Sequence, residues 1–250
     1  GIDYAMFAPA NPKQPVIIDS FPPAAESICA LMPRLRERLQ ASNTLRDRLF
    51  QADFLATLSG ELMVTLIYHQ PLGERWEAAA RDLAADLGIQ VIGRSRGQKV
   101  VLDRDWLLEE FELDGRSLRY QQIEGSFTQP NGNVNRQMLA WARQQAAGLG
   151  GDLLELYCGN GNFTMALAPL FNRVLATEVS KTSVKAANYN LVANAIDNVA
   201  VARLSSEEVS AAMAGTQTFK QLQGIALDQY NFSTIFVDPP RSGLDAQTLD

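Results

Sequence analysis

The stretch of sequence that decides the fold is residues 153–163, Leu-Leu-Glu-Leu-Tyr-Cys-Gly-Asn-Gly-Asn-Phe. An apolar run of strand type passes directly into a Gly-x-Gly turn, and a helix is predicted over 163–170. Glycine lets the backbone turn tightly and approach a ligand without an intervening side chain. This order of strand, turn and helix is typical of a parallel α/β sheet, where nucleotide-type cofactors lie across the carboxyl ends of the strands.

Three further strand-like runs follow in the order that such a sheet requires, at 174–178, 199–204 and 234–238. The first of them ends in Glu178, an acid in the position where both ribose hydroxyls of an adenosine can be bound. A Gly-x-Gly turn alone also occurs in plain strand–helix connections, so Glu178 is the residue that favours a cofactor site. The fourth strand of such a sheet normally lies inside it, which predicts a partner on its outer side.

The segment after the fourth strand, Asp238-Pro239-Pro240-Arg241, distinguishes between adenosine cofactors. Proline fixes φ and removes a donor, so this backbone is rigid. In methyltransferases a polar residue and two prolines separate the methyl donor from the target base, whereas the segment has no role in hydride transfer. A dinucleotide site also usually has a third glycine, where this chain has Thr164. The sequence therefore favours S-adenosylmethionine over NAD, which Glu178 would also suit.

The first half of the chain has a different pattern. It predicts an α+β domain on an antiparallel sheet over residues 1–118, followed by the methyltransferase domain over 119–250. Because the chain opens without methionine and stops soon after its fourth predicted strand, we expect both domains to be incomplete at their outer ends. The predicted elements outside the parallel sheet are strands at 15–19, 50–58, 61–69, 89–95 and 99–103 and helices at 23–41, 74–87 and 133–148.

Composition limits the function classes. The 250 residues are 46% apolar and 20% charged, with a formal net charge of −6, which is ordinary for a soluble globular protein. No apolar run approaches the roughly 20 residues needed to cross a bilayer. Two cysteines, Cys29 and Cys158, are too few for a disulfide framework or a four-cysteine metal site. We therefore expect a cytoplasmic protein without a metal.

The acidic balance argues mildly against a nucleic-acid partner, because phosphate neutralisation supplies much of the affinity for nucleic acids. Positive charge is nevertheless concentrated in two places. Five arginines lie within residues 34–48, and Arg94, Arg96 and Lys99 surround a glycine-containing turn. The first cluster is typical of a solvated helix face, and the turn is the place where we expect contact with RNA.

Three motifs together make the chain resemble the RNA uracil-C5 methyltransferases, in particular the bacterial tRNA (uracil-54-C5)-methyltransferases. They are residues 126–131 (Ser-Phe-Thr-Gln-Pro-Asn), 154–163 and 236–243 (Phe-Val-Asp-Pro-Pro-Arg-Ser-Gly). The resemblance implies a class I S-adenosylmethionine-dependent methyltransferase domain of Rossmann-like fold. It also implies methyl transfer from S-adenosylmethionine to C5 of the T-loop uridine of tRNA.

Alternatives stay open on the residues alone. A relative acting on ribosomal RNA, another adenosine-cofactor enzyme, and an RNA-binding module that keeps the fold without catalysis are each compatible with the motifs.

The resemblance also implies roles for individual residues. Gln129, Tyr157, Asn162, Glu178 and Asp238 match cofactor-binding positions: Tyr157 and Asn162 would touch the methionine part, and Asp238 would lie by the sulfonium. Gln129 would in addition lie beside the target base, and Arg241 would face the uracil or its phosphate, as a guanidinium fork suits.

Catalysis needs a cysteine thiolate that adds to uracil C6, since C5 is too weak a nucleophile to take a methyl group unaided. The resemblance places this cysteine and a glutamate base after residue 250, so no catalytic residue is expected within 1–250. Cys158 precedes Gly159 in the cofactor loop and is predicted to be a small buried hydrophobe, like Cys29. His69, at the end of an apolar strand, is interpreted as structural.

Phe50 is the candidate for holding a T-loop base, because unstacked RNA bases commonly stack on aromatic rings. Phe54 follows four residues later, so a regular strand would place both rings on one face. Core packing of both rings is the competing interpretation.

Overall fold

The computed structural model describes residues 1–8, 11–241 and 243–244. The chain divides into two compact units, Gly1–Leu107 and Leu108–Asp250. The polar residues around 112–119, where the sequence places the domain boundary, contain a turn between two strands at Asp114 and Gly115, both with positive φ.

The first unit contains most of the elements expected of it. They are β1 (Tyr4–Ala8), β2 (Asn11–Ile18), α1 (Glu26–Ala41), α2 (Asn43–Arg46), β3 (Leu49–Ala56), β4 (Leu62–Tyr68), α3 (Glu74–Leu87), β5 (Gln90–Ser95) and β6 (Gln98–Val101). Strands β1 and β2 form a two-stranded ribbon, of which β1 was not predicted.

The four-stranded sheet of this unit has the order β3-β4-β5-β6 and is mixed, so the expectation of a purely antiparallel sheet needs correction. The pairs β3–β4 and β5–β6 are antiparallel, but β4 and β5 run parallel. The physical reason is α3, which returns the chain to the starting edge before β5 begins.

Apolar faces of two helices cover this sheet. Leu31, Leu35 and Leu39 of α1 are buried at the spacing that the sequence predicts. Trp76 of α3 is also buried, and it packs against β5 so closely that a Cβ on Gly93 would lie 2.4 Å from its ring. Glycine at position 93 is therefore a packing requirement.

The second unit begins with a hairpin and continues as alternating strands and helices. Its elements are β7 (Trp106–Leu113), β8 (Arg116–Ile123), α4 (Gly132–Ala146), β9 (Asp152–Leu156), α5 (Asn162–Leu167), β10 (Arg173–Thr177), α6 (Lys181–Ala193), β11 (Val199–Ala202), α7 (Ser206–Met213) and β12 (Phe232–Val237). Over the described residues its main sheet has the order β11-β10-β9-β12. All three pairings are parallel, as predicted.

Side chains on the two faces of this sheet enter separate cores. Leu153 packs with residues of the β7–β8 hairpin, α4 and α5, whereas Leu154 and Leu156 pack with Val209 of α7. A near-continuous apolar strand is what a sheet covered on both faces requires. Within the described ranges, no helix is both long and apolar enough to span a bilayer.

Candidate functional site

Register places the predicted cofactor residues at one edge of the parallel sheet. Leu156, the last residue of β9, pairs with Thr177 on one side and with Val237 on the other. The next residue of each strand is Tyr157, Glu178 or Asp238, so these three lie side by side. With strands about 4.8 Å apart, the two acids flank the central loop at a separation of roughly 10 Å.

The loop after β9, residues 157–161, which we call the cofactor loop, depends on left-handed backbone conformations. Tyr157, Gly159 and Gly161 have φ values of 61°, 58° and 83°. A Cβ on Gly161 would lie 2.6 Å from Met165 Cε, whereas a Cβ on Gly159 would meet nothing within 4 Å. Gly161 is favoured by its left-handed backbone, since the Met165 methyl could move aside, and Gly159 leaves open space above the backbone where a ligand can approach.

Glu178 ties the cofactor loop to the next strand. Its Oε2 accepts a hydrogen bond from Gly159 N at 3.0 Å, and its Oε1 accepts one from Ser180 N at 2.7 Å. An ionised carboxylate offers about four lone-pair sites. Each oxygen therefore keeps capacity for a further donor, such as a ribose hydroxyl.

Two more predicted residues are fixed by partners that the sequence did not reveal. The Tyr157 hydroxyl lies 2.7 Å from Ser206 Oγ at the start of α7. The side-chain amides of Asn162 and Asn135 exchange two hydrogen bonds, at 2.8 and 2.9 Å. Asn135 is buried on α4, and an amide pair of this kind fixes both the rotamer and the orientation of Asn162.

Acids differ in their surroundings along this edge. Asp238 is exposed, and partial desolvation raises the pKa of its carboxyl. Glu155, on β9, is only 1% exposed, and its Oε2 has no hydrogen-bond partner among the described residues. Burial, helped by the charge of Asp238, raises the pKa of Glu155 to about 8. Glu155 is therefore mainly protonated at neutral pH, unlike an ordinary glutamate.

Neither cysteine has the surroundings of a nucleophile. Cys158 is 5% exposed, and burial together with the charges of Glu155 and Glu178 raises the pKa of its thiol well above the usual value. A thiol without thiolate character is inert. Cys29 donates from Sγ to the carbonyl oxygen of Phe21 at 3.2 Å. Across the part of the chain that the structure describes, no group of three His, Cys, Asp or Glu side chains is placed to hold a metal.

Gln129 and Arg241 lie on connecting segments. Gln129 is half-buried between β8 and α4, close to Asn131, whose side chain caps α4 by accepting a hydrogen bond from Val134 N at 3.0 Å. Arg241 is exposed directly after the two prolines. Their contacts with cofactor or base stay predictions, as do those of Tyr157, Asn162, Glu178 and Asp238.

A β-bulge in the first unit decides where Phe50 points. Leu49 pairs with Tyr68 and Gln51 with Ile67, so Phe50 is the extra residue. The bulge moves Leu49 to the core face with Phe54 and leaves Phe50 62% exposed. The expectation that Phe50 and Phe54 share a face is therefore wrong. Bulges commonly re-aim a side chain in this way near functional sites.

Phe50 forms a ring pair with a residue that sequence reasoning treated as structural. The exposed His69 ring stacks on Phe50 with centroids 4.3 Å apart and an interplanar angle of 22°. A groove of about 750 Å³ is lined by Arg46, Asp47, Arg48 and Gln70 among others, and Gln70 follows His69 in the chain. No signal in the sequence identifies His69, because an isolated histidine after an apolar strand is usually structural.

The turn between β5 and β6 carries Arg96 and has Gly97 at a φ of 71°, whereas Arg94 lies on β5, paired with Lys99. Arg96 is exposed and Arg94 is half-buried. Lys99 Nζ lies 2.7 Å from Asp105 Oδ2, so an acidic neighbour compensates its charge. Of the arginines in 34–48, Arg36 is likewise paired with Asp19 and Arg38 with Asp86.

Comparison with known proteins shows one family over almost the whole chain. Residues 2–250 match the model of the tRNA (uracil-5-)-methyltransferase family. A tRNA/tmRNA (uracil-C(5))-methyltransferase of Aromatoleum aromaticum is 72% identical over 249 residues, which are 100% of this chain and 68% of that protein. One of Pseudomonas putida is 53% identical over 99% of this chain and 68% of its own length. The chain thus spans about two thirds of these relatives.

A solved structure shows the same fold. The tRNA (uracil-54, C5)-methyltransferase of Pyrococcus abyssi, in complex with S-adenosyl-L-homocysteine, aligns with a TM-score of 0.68 at 19% identity. The alignment covers 94% of this chain and 57% of that one. The expected fold class, a Rossmann-like methyltransferase domain preceded by an α+β domain, is confirmed.

The raised pKa of Glu155 predicts a pH dependence of stability. A buried acid with a folded-state pKa near 8 stabilises the fold at low pH, and this contribution is lost as the pH rises from about 4.5 through 8. Glu155→Gln mimics the protonated acid. It should therefore gain on the order of 2–4 kcal/mol of stability relative to the unmutated chain between pH 5.5 and pH 8, measured by urea unfolding.

Glu110→Gln is the matched control. Hydrogen bonds from Ser117 and Arg119 lower the pKa of the half-buried Glu110, so its contribution is lost only in acid and is constant between pH 5.5 and pH 8. An identical pH response in Glu155→Gln and the unmutated chain would show that Glu155 does not hold a proton in the fold.

Proposed function

We propose that this chain, which belongs to the tRNA (uracil-5-)-methyltransferase family, binds S-adenosylmethionine and takes part in methylation of C5 of the T-loop uridine of tRNA. The observation that carries the proposal is the register at Leu156, which sets Glu178 and Asp238 on opposite sides of the cofactor loop. The names of the relatives support tRNA as the substrate. They give no support to ribosomal RNA, the alternative that the motifs left open.

The residues at the sheet edge fit the cofactor. Glu178 has lone pairs left for both ribose hydroxyls after binding Gly159 N and Ser180 N. The open space above Gly159, where a Cβ would meet nothing within 4 Å, would let the adenosine approach the backbone. Tyr157, Asn162 and Gln129 would hold the methionine part.

Asp238 would face the positive end of the cofactor, and its position next to Tyr157 in the sheet suits this role. When bound, S-adenosylmethionine supplies a methyl group made electrophilic by its sulfonium. The prolines at 239 and 240 would form the wall between this group and the target base, since their φ angles are fixed. Arg241, exposed directly after them, would bind the uracil or its phosphate.

Neither cysteine of this chain is proposed as the nucleophile that activates uracil. Cys158 is a buried thiol beside two carboxyl groups, and its raised pKa opposes thiolate formation. The part proposed for residues 1–250 is therefore to bind and orient the cofactor and the RNA.

The first unit is proposed to hold the T-arm of the tRNA. The exposed Phe50–His69 pair offers a flat aromatic surface on which an unstacked base can lie. Arg46 and Arg48 line the neighbouring groove, where phosphates would be neutralised. Arg94, on β5, and Arg96, on the β5–β6 turn, would add further phosphate contacts.

Activity is tested by tritium release. The intact protein, given S-adenosylmethionine and tRNA labelled with tritium at uridine C5, should release tritium to water as the methyl group replaces the C5 hydrogen. Cys158→Ser should release as much, because Cys158 has only a packing role. A tRNA with cytidine in place of the T-loop uridine should release none from that position. Release that is lost in Cys158→Ser would contradict the assignment of this cysteine.

Cofactor binding is tested at Glu178. Glu178→Ala removes a charge-assisted acceptor of two hydrogen bonds, so the affinity for S-adenosylhomocysteine should fall by on the order of 2–3 kcal/mol in titration calorimetry. Glu207→Ala, which removes an exposed acid from the first turn of α7, should leave the affinity unchanged. Undiminished binding by Glu178→Ala would contradict the assignment of Glu178 to the ribose. Preferential binding of NAD would indicate a different enzyme class.

RNA contacts are separated by their salt dependence. Phe50→Ala should weaken T-arm binding at every salt concentration by about 1–3 kcal/mol, because stacking does not release counterions. Replacing Arg94 and Arg96 together with alanine should instead reduce the salt dependence of binding. The slope of log K against log salt concentration should become shallower by about 0.7–0.9 for each lost phosphate contact. Phe7→Ala, at a similarly exposed aromatic of the same unit, serves as the control. If Phe50→Ala and Phe7→Ala bind alike, the ring pair is not an RNA platform.

A further inference from the structure

Three groups in the second unit form a closed ring of hydrogen bonds. Gln121 N, on β8, donates to Asn190 Oδ1 at 2.7 Å, and Asn190 Nδ2 donates to Asn160 O at 2.8 Å. Asn160 Nδ2 closes the ring by donating to Gln121 O at 3.4 Å. The ring joins a strand, a helix and the cofactor loop, and each participant supplies one donor and one acceptor.

Asn190 is the member that connects the other two. It lies on α6 with 0% of its surface exposed, so water cannot replace either of its hydrogen bonds. Only an amide of this length both accepts from the strand and donates to the loop. The Asn160 carbonyl that it holds directly follows Gly159, whose N–H points to Glu178.

Asn194, one turn further along the chain, is an asparagine that also bonds β8 but does not contact the cofactor loop. Its Oδ1 accepts from Arg119 N at 2.9 Å, and its Nδ2 donates to Arg119 O at 2.7 Å. Both asparagines therefore satisfy backbone groups of β8, but only Asn190 reaches the cofactor loop.

We propose that Asn190 is a positioning residue that holds the cofactor loop in its ligand-binding shape by anchoring the Asn160 carbonyl to β8. The inference rests on the proposed function, since it assumes that this loop binds the methyl donor. A loop held in advance does not lose conformational entropy on binding, which is how preorganisation increases affinity. The same ring also fixes β8, whose chain continues into the segment carrying Gln129.

The test compares Asn190→Asp with Asn194→Asp. Aspartate has nearly the same shape as asparagine and still accepts from the strand N–H, but its ionised carboxylate cannot donate. Because burial favours the protonated form of a carboxyl, as it does at Glu155, binding is compared at about pH 9, where the carboxylate prevails. Asn190→Asp should weaken binding of S-adenosylhomocysteine by about tenfold or more, because the cofactor loop loses its anchor and must be ordered on binding. Asn194→Asp should stay within about twofold, since its lost donor served only β8 and α6.

Hydrogen exchange gives a measurement that general destabilisation would not reproduce. In the protein without ligand, the amides of 159–162 should exchange about tenfold faster in Asn190→Asp than in Asn194→Asp, at equal thermal midpoints or after correction for global stability. Equal affinity and equal loop exchange in the two variants would overturn the proposal and leave both asparagines as ties between α6 and β8.

Asn160→Ala keeps the inference testable if Asn190→Asp does not fold. It removes only the half-buried bond to Gln121 O, so faster exchange at 159–162 is expected with a smaller affinity loss. Unchanged exchange would count against the ring. If the unmutated protein does not bind S-adenosylhomocysteine, the proposed function fails, whereas the exchange result still decides whether the ring orders the loop.

Discussion

The pairing of β9 between β10 and β12 is the constraint on which the rest of the site depends. Because all three strands are parallel and end in register at Leu156, their following residues meet at a single edge. One turn then carries the loop glycines, and the neighbouring strand ends carry the acids. A slip of one residue in either pairing would turn Glu178 or Asp238 to the opposite face of the sheet.

Around this edge the acidic side chains differ in their burial and in their hydrogen-bond partners. Glu178 accepts hydrogen bonds from two backbone N–H groups. Glu155, a few residues before the cofactor loop, is buried so deeply that its proton is retained. Keeping Glu155 neutral limits the negative charge beside the carboxylates that are proposed to face the cofactor. Burial is the main reason that Cys158 stays a thiol.

In both units, irregular backbone creates a surface that a ligand could contact. In the second unit, left-handed residues clear the space above Gly159. In the first unit, a bulge turns Phe50 away from the core and beside His69. In both units, regular helices and strands pack on either side of the irregular segment and hold its backbone in place.

The sequence by itself determined the parallel α/β class, the four parallel strands and two of the helices of the second unit, and the family, because apolar periodicity and the glycine, acid and Asp-Pro-Pro positions are local signals. It could not show that β4 and β5 are parallel, that the residues near 114 form a hairpin, or that Phe50 points outward. Those features depend on which strands pair and in what register. Tertiary structure alone also brought Asn190 to Asn160, thirty residues away in the chain, and buried Glu155 away from the protein surface. Long-range hydrogen bonds and burial arise only when distant segments of the chain come into contact, so no local sequence pattern predicts them.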